Sequence, residues 1–455
     1  MWHLKPVPGG LFNWILSSVR VFCASVKTSV LLKTVKTSQS SRLSHRGRRQ
    51  TSSRGYEASQ LNIDLLFPVF HNTHAVRKRA LSAHRNKKTG TQRFFEQRMA
   101  LMKRAVSCLI TVYLSVPVFL YLFPWILGHA IFSHLLRFPF SADLGRPQDV
   151  LNHTRNFYLS TEEDVSVGVW HTLPVSQWEA ATGKTLDWYH ETLGDGRPVI
   201  IYLHGNAGTR AMSHRVKLVK ILSAAGYHVL SLDYRGFGDS TGEPSEAGLT
   251  RDALYLYQWV KERSRGTSVC LWGHSLGSGV ATNAAIKIQE QGSFVDALIL
   301  QAPYTRIGEV VVNHPIAKMY KLFSGFETLL WNLLEKNNII FDNYENLKTL
   351  RSPLLILHSE DDRVVPYHMG QKVPCSFAVF GELPAASVAA SCAETLGVPC
   401  IQLYQVSLQT RTESNSDVPV DMVSYGPTHG VTHSNIHLDP DLSNVVQTFL
   451  QKLKQ

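Results

Sequence analysis

The stretch Leu271-Trp272-Gly273-His274-Ser275-Leu276-Gly277-Ser278-Gly279 restricts the folds open to this chain more than any other. Residues 268–272 before it read as a buried strand. Val280-Ala281-Thr282-Asn283-Ala284-Ala285-Ile286 after it reads as the start of a helix lined with small residues. Gly273-x-Ser275-x-Gly277 at such a junction is the nucleophile-elbow pattern, in which a serine sits on a strained turn. Residues without side chains let strand and helix approach closely there. The alternative is an elbow that keeps the turn and lacks catalytic partners, so the rest of the chain has to supply them.

Around this stretch, apolar runs alternate with longer amphipathic ones. Strands are expected at 157–159, 165–171, 199–203, 228–232, 268–272, 296–300, 354–357 and 420–424. Helices are expected at 210–225, 246–263, 276–290 and 441–453. Such alternation implies an α/β fold, a mostly parallel sheet with helices on both faces. Residues 304–350 break the alternation and read as an apolar helical cap, suited to an acyl-chain substrate.

Acyl transfer needs backbone N–H groups aimed at a developing oxyanion. One is expected from Leu276, the residue after the serine. The other is expected from Asn206, in the loop His204-Gly205-Asn206-Ala207-Gly208 that follows an earlier strand. The glycine-rich Asp233-Tyr234-Arg235-Gly236-Phe237-Gly238 lacks the spacing of a dinucleotide loop. His228 and Asp233 match an H-x4-D pattern, but on one strand they point to opposite faces, so the match reads as chance.

The serine needs a base, and the base needs an orienting carboxylate, in the order Ser, acid, His. Glu360, Asp361 and Asp362 follow the strand at 354–357, and chemistry alone does not choose among them. His429, His433 and His437 all fall between the last strand and the last helix. Their i, i+4 spacing also suits metal ligands on a helix, but Gly426, Pro427 and Gly430 indicate a loop, so no metal and no cofactor are expected.

Charge separates the chain into parts. Of 46 Lys and Arg and 35 Asp and Glu, residues 1–104 hold 20 bases and three acids. The remainder is therefore mildly acidic, which argues against nucleic-acid binding by the folded part. Residues 1–104 read as a basic, largely disordered leader. Residues 105–127 carry no charge and are long enough for one transmembrane helix, with Lys103 and Arg104 at its N-terminal end. The positive-inside rule places that end in the cytosol and the hydrolase domain, 140–455, on the far side. Asn152-His153-Thr154 is a glycosylation acceptor on that side. The six cysteines show no C-x-x-C spacing; Cys270 reads as inert core, and Cys375, Cys392 and Cys400 could supply one disulfide.

Tyr202-Leu203-His204-Gly205-Asn206-Ala207-Gly208-Thr209-Arg210, Asp233-Tyr234-Arg235-Gly236 and the elbow running into Gly279-Val280-Ala281-Thr282-Asn283 together resemble the alpha/beta-hydrolase domain-containing protein 12 group. The resemblance covers about 105–372 and 418–455. Ile339-Ile340-Phe341 and Arg363 lean towards the 12B paralogue. It implies an alpha/beta-hydrolase fold and a membrane-anchored serine esterase acting on lysophospholipids such as lysophosphatidylserine, or on monoacylglycerols. The active site would face the lumen of the endoplasmic reticulum. It places the nucleophile on Ser275, the acid on Asp362 and the base on His433. The chain departs from the group at 374–417, an insert rich in Ala, Ser and Cys, which leaves 71 residues between acid and base. Related chemistry on the same residues (thioester, peptide or acyl transfer) is the alternative. A non-catalytic binding protein is a further one, should the insert displace His433.

Overall fold

The computed structural model describes residues 72–320, 325–365 and 399–453, with side chains from 92 onward and, in the last segment, from 402. The chain forms two units, Met1–Gln97 and Arg98–Gln455. Of the first, the helical residues from Asn72 are described. Helix α1 is Asn72–Leu122 and α2 is Trp125–Phe132. An antiparallel pair follows, β1 Thr154–Glu162 and β2 Val165–Thr172, then a short α3, Leu186–Glu191. The alternating part runs β3 Val199–Leu203, α4 Ser213–Ala224, β4 His228–Leu232, α5 Glu246–Arg263, β5 Val269–His274, α6 Leu276–Glu290 and β6 Ala297–Gln301. Next come α7 Ile307–Asn313, α8 Pro315–Lys318, α9 Phe326–Lys336 and α10 Asn343–Leu347. The chain closes with β7 Leu354–Ser359, α11 Pro399–Glu413, β8 Val420–Tyr425 and α12 Leu442–Lys452.

Among the described residues the strands form one eight-stranded sheet, in the order β1-β2-β4-β3-β5-β6-β7-β8, and it is parallel from β4 onward. Strands β3 to β7 are buried along their whole length, which is why each is mostly apolar rather than alternating. Among the described residues a large core forms on each face. One holds Leu203, Leu271, Val280 and Ala281; the other holds Tyr202, Trp272, Leu355 and Phe449. Helix α5 shows how local signals fix an element. The Ser245 hydroxyl caps it by accepting from Gly248 N, Glu246 sits in its first turn, and Lys261 and Arg263 sit in its last.

Four boundaries differ from the sequence reading. Within 1–104, read as a largely disordered leader, α1 runs from Asn72, and residues 1–71 lie outside the described residues. The apolar run 105–127 is not one helix. It ends at Leu122, and α2 restarts after Pro124, which lacks the N–H needed to continue the ladder. The folded unit also begins before residue 140, since Leu127, Ile131 and Phe132 of α2 are buried in the first core. Finally, the stretch 374–417 is not all insert. Residues 374–398 lie outside the described residues, but α11 carries Leu403 and Val406 into the core and forms the crossover from β7 to β8 that a parallel pair requires. The region expected as a cap, 304–350, contains α7 to α10. Cys375, Cys392 and the side chain of Cys400 lie outside the described residues.

Candidate active site

Every strand from β3 to β7 points its C-terminal end the same way, so the loops after them gather at one edge. Ser275 lies between β5 and α6 with φ 51° and ψ −116°, a backbone conformation a residue with a side chain rarely adopts. Two glycines make the turn possible by their lack of bulk. A Cβ on Gly277 would stand 2.0 Å from Leu203 O, and one on Gly273 would stand 2.3 Å from Gly277 O. Helix α6 is therefore seated directly against the end of β3.

His433 Nε2 lies 3.0 Å from Ser275 Oγ, and His433 Nδ1 lies 2.7 Å from Asp362 Oδ2. A carboxylate only accepts, so Nδ1 carries the proton and the Nε2 lone pair faces the serine hydroxyl. Asp362 is buried. Its other oxygen accepts from Val364 N at 2.8 Å and Val365 N at 2.9 Å. His358 Nε2 sits 3.4 Å from the carboxylate and 3.0 Å from Val365 O. Burial alone would raise the Asp362 carboxyl, but hydrogen bonds from His358 and His433 outweigh it and hold the group well below the usual range.

The alternatives left open by the sequence separate in space. Glu360 and Asp361 are exposed; only Asp362 turns inward. His429 is exposed and its Nδ1 faces Gly426 O at 3.2 Å, while His437 lies towards α4 near Lys217. The three histidines do not converge. The loop carrying His433 is pinned at several points: Ser359 Oγ donates to Val431 O at 2.5 Å, and Asn435 accepts from Thr432 Oγ1 at 2.9 Å and donates to Gly430 O at 3.1 Å. The 71-residue separation from acid to base thus does not displace His433.

Leu276 N is the first amide of α6 and has no acceptor within its helix. Asn206 is exposed, and its side-chain amide donates to Ile131 O at the end of α2. The loop that holds Asn206 is set by a residue the sequence reading missed. Arg215, buried on α4, donates to Gly205 O at 2.9 Å, Ala207 O at 2.7 Å, Thr209 O at 2.9 Å and Asn206 O at 3.4 Å. In a trans peptide the carbonyl and the following N–H point oppositely, so turning Gly205 O to Arg215 directs Asn206 N–H away from it. A Cβ on Gly205 would lie 3.2 Å from the Ser275 Cβ, so this loop and the serine are neighbours.

His274 was also passed over. Burial, with His433 and His214 beside it, keeps its imidazole neutral well below the ordinary range. Its Nε2 lies 2.9 Å from His433 O, and since a carbonyl only accepts, Nε2 is the protonated nitrogen. The residue just before the serine therefore holds the backbone of the histidine. Asp233 serves the same edge from below: it accepts from Arg210 N at 2.8 Å and Arg210 Nη1 at 2.6 Å, and faces His204 at 3.1 Å. His228 stands at the other end of β4 against His171, so the H-x4-D match brings nothing together. Asn152 is exposed in the turn before β1, and Cys270 is fully buried with its thiol raised chiefly by desolvation.

A family profile described as the alpha/beta hydrolase fold matches residues 198–326. Lysophosphatidylserine lipase ABHD12 of Rattus norvegicus is 38% identical over 406 residues, covering 88% of this chain and 94% of the relative. The protein of that name from Xenopus tropicalis is 42% identical over 348 residues, 76% of this chain and 82% of its own length. Protein ABHD12B of Homo sapiens is 49% identical over 281 residues, 62% of this chain and 78% of the relative. With this identity running over most of both chains, on a sheet whose edge presents a strained serine to a histidine, the chain belongs to the ABHD12 family of alpha/beta-hydrolase-fold serine ester hydrolases.

Proposed function

We propose that this chain is a membrane-anchored lipase that cleaves the ester of a monoacyl lipid through Ser275, His433 and Asp362. The observation that carries the reading is the unbroken hydrogen-bonded path from Ser275 Oγ through His433 to Asp362, at 3.0 and 2.7 Å. Ser275 Oγ attacks the ester carbonyl while His433 Nε2 takes its proton. The carbonyl oxygen gains the negative charge, held by Leu276 N–H and Asn206 N–H. The ester C–O bond then breaks, His433 gives its proton to the leaving alcohol, and the acyl group stays on Ser275. Water, deprotonated by His433, attacks the acyl carbonyl; Ser275 Oγ takes the proton back and a fatty acid leaves. Asp362 keeps the imidazole in the tautomer this needs and offsets its transient charge.

The named activity of the ABHD12 relatives points to lysophosphatidylserine as a first substrate, with other lysophospholipids and monoacylglycerols beside it. Helix α1 supplies the anchor: over Gln92–Leu122 it is long and apolar enough to cross a membrane. Lys103 and Arg104 keep its N-terminal end cytosolic, so the hydrolase unit lies in the endoplasmic reticulum lumen and Asn152 carries a glycan. Residues 304–350 form the cap, and 374–398 are the part of the chain added to the family pattern.

A fluorophosphonate probe tests the chemistry on membranes holding the full chain. Labelling of the wild type and none of Ser275→Ala is the expected result; an unlabelled, glycosylated wild type would remove the enzyme reading. Deglycosylation tests the topology separately, with a mobility shift for the wild type and none for Asn152→Gln.

A further inference from the structure

The way α1 meets the catalytic unit carries information about depth. Tyr113, Val116 and Leu120, spaced along one stripe of the helix, pack against the unit's apolar core. On the remaining faces Leu109, Ile110, Val112, Leu114, Val118 and Tyr121 are exposed. The Tyr113 ring stacks on Tyr320 with centroids 4.4 Å apart and planes 11° from parallel, and its hydroxyl donates to Met319 O. The helix is therefore not a free tether; its second half is part of the fold.

That packing fixes where a membrane can lie. Lys103 and Arg104 close the charge-free run on the N-terminal side, and a hydrocarbon core of about 30 Å takes about 20 helical residues. The run up to Leu122 is barely long enough, so all of it must be used. At about 1.5 Å per residue, Tyr113 stands only about 13 Å in from Arg104. A catalytic unit held clear of the bilayer would leave less than half of the needed length for the crossing.

We propose that the edge of the cap at α8 and Met319 is sunk in the bilayer, so that the monoacyl substrate passes to the site from the plane of the membrane. The inference rests on α1 crossing the bilayer, as proposed above. The surface at that edge has the chemistry this requires. Ile316 is 64% exposed and Met319 62%, with the ring of Tyr320 buried behind them against Tyr113. Lys318, the charged residue between them, carries its amine at the end of a flexible stem whose methylenes suit an apolar surround. The chemical partner is thus phospholipid acyl chain, and its monoacyl relative is the substrate class of the same site.

The test places photoreactive benzoylphenylalanine at position 316, at 319 or, as a control, at 294, in the full chain in phospholipid vesicles. Phe294 is 48% exposed and precedes β6, at the sheet end opposite the site. Mass spectrometry should find phospholipid acyl chains crosslinked at 316 and 319 at least tenfold more often than at 294. Equal, low crosslinking at all three, in protein that resists carbonate extraction and labels with fluorophosphonate, would overturn this proposal alone. Extraction by carbonate would overturn it together with the anchor, and loss of labelling would strike the catalytic reading instead. Met319→Glu gives a second readout. Turnover of a long-chain monoacyl ester in vesicles should fall at least tenfold, with a water-soluble short-chain ester hydrolysed within twofold of wild type; equal turnover on both would count against the immersed edge.

Discussion

Gly277→Ala should remove activity out of proportion to its effect on stability. The new Cβ would meet Leu203 O at 2.0 Å, Leu203 C at 2.7 Å and His204 O at 2.8 Å. All three are backbone atoms at the end of β3, which no rotamer change can move. Relief to even about 3 Å requires α6 to withdraw by about 1 Å, an overpacking expected to cost about 1–3 kcal/mol. The same displacement acts on chemistry, because α6 begins with the Leu276 N–H and follows Ser275 directly, while the stationary side leads into Asn206. A misplacement of about 1 Å at a reacting centre costs on the order of 100-fold, or about 2.7 kcal/mol of transition-state stabilisation. The assay is hydrolysis of a soluble ester by detergent-purified protein, with melting temperature measured on the same sample. Gly292→Ala is the control: its φ is +81° with nothing within 4 Å, so alanine strains the backbone by about 1–2 kcal/mol far from the site. The expectation is a similar loss of stability in both, with turnover retained only in Gly292→Ala. Gly277→Ala with more than a third of wild-type turnover would refute the argument.

Arg215→Lys keeps a charge but loses the planar fork that reaches four carbonyls. We expect kcat to fall about 10- to 100-fold with KM little changed, measured on a soluble ester. A chain starting at residue 140 loses Ile131 O, Leu136 O and Phe138 O, which accept from Asn206, Gly208 and Thr209. Its fluorophosphonate labelling should drop at least tenfold relative to a chain starting at 98, by gel fluorescence. Acid should destabilise the fold through buried imidazoles. Desolvation lowers His171 and His274 well below their ordinary value and His214 to about 3. Below about pH 6.5 the unfolded chain takes up these protons and the folded one does not, so stability falls by up to about 1.4 kcal/mol per pH unit for each. A melting temperature that drops from pH 7 to pH 5, and drops less in His214→Gln, is the expected outcome.

The sequence is most readable where a single local cause decides the structure. Strands β3 and β4 and helices α5 and α6 fall at the expected bounds, because a fully buried strand is mostly apolar along its length and α5 carries both its cap and its end charges. The elbow is legible for the same reason: two close backbone approaches leave only glycine at 273 and 277. Chemistry alone could not separate Asp362 from Glu360 and Asp361, or His433 from its neighbours. Their difference is one of direction, set by Val364 N, Val365 N, Ser359 and Asn435. Arg215 gave no signal, since an arginine on an amphipathic helix ordinarily faces water. Helix α11 was hidden by the composition of the residues before it, and the break at Pro124 by the ease with which an apolar run containing proline reads as one kinked span.

The φ of 51° at Ser275 is held by packing that a relaxed backbone would not choose. Such a conformation costs on the order of 1–3 kcal/mol, and glycine would escape most of it. Selection for a durable fold and selection for hydrolysis therefore pull this position in opposite directions. A descendant no longer needed as an enzyme should keep its glycines at 273 and 277, without which strand and helix cannot meet, and give up the serine between them first.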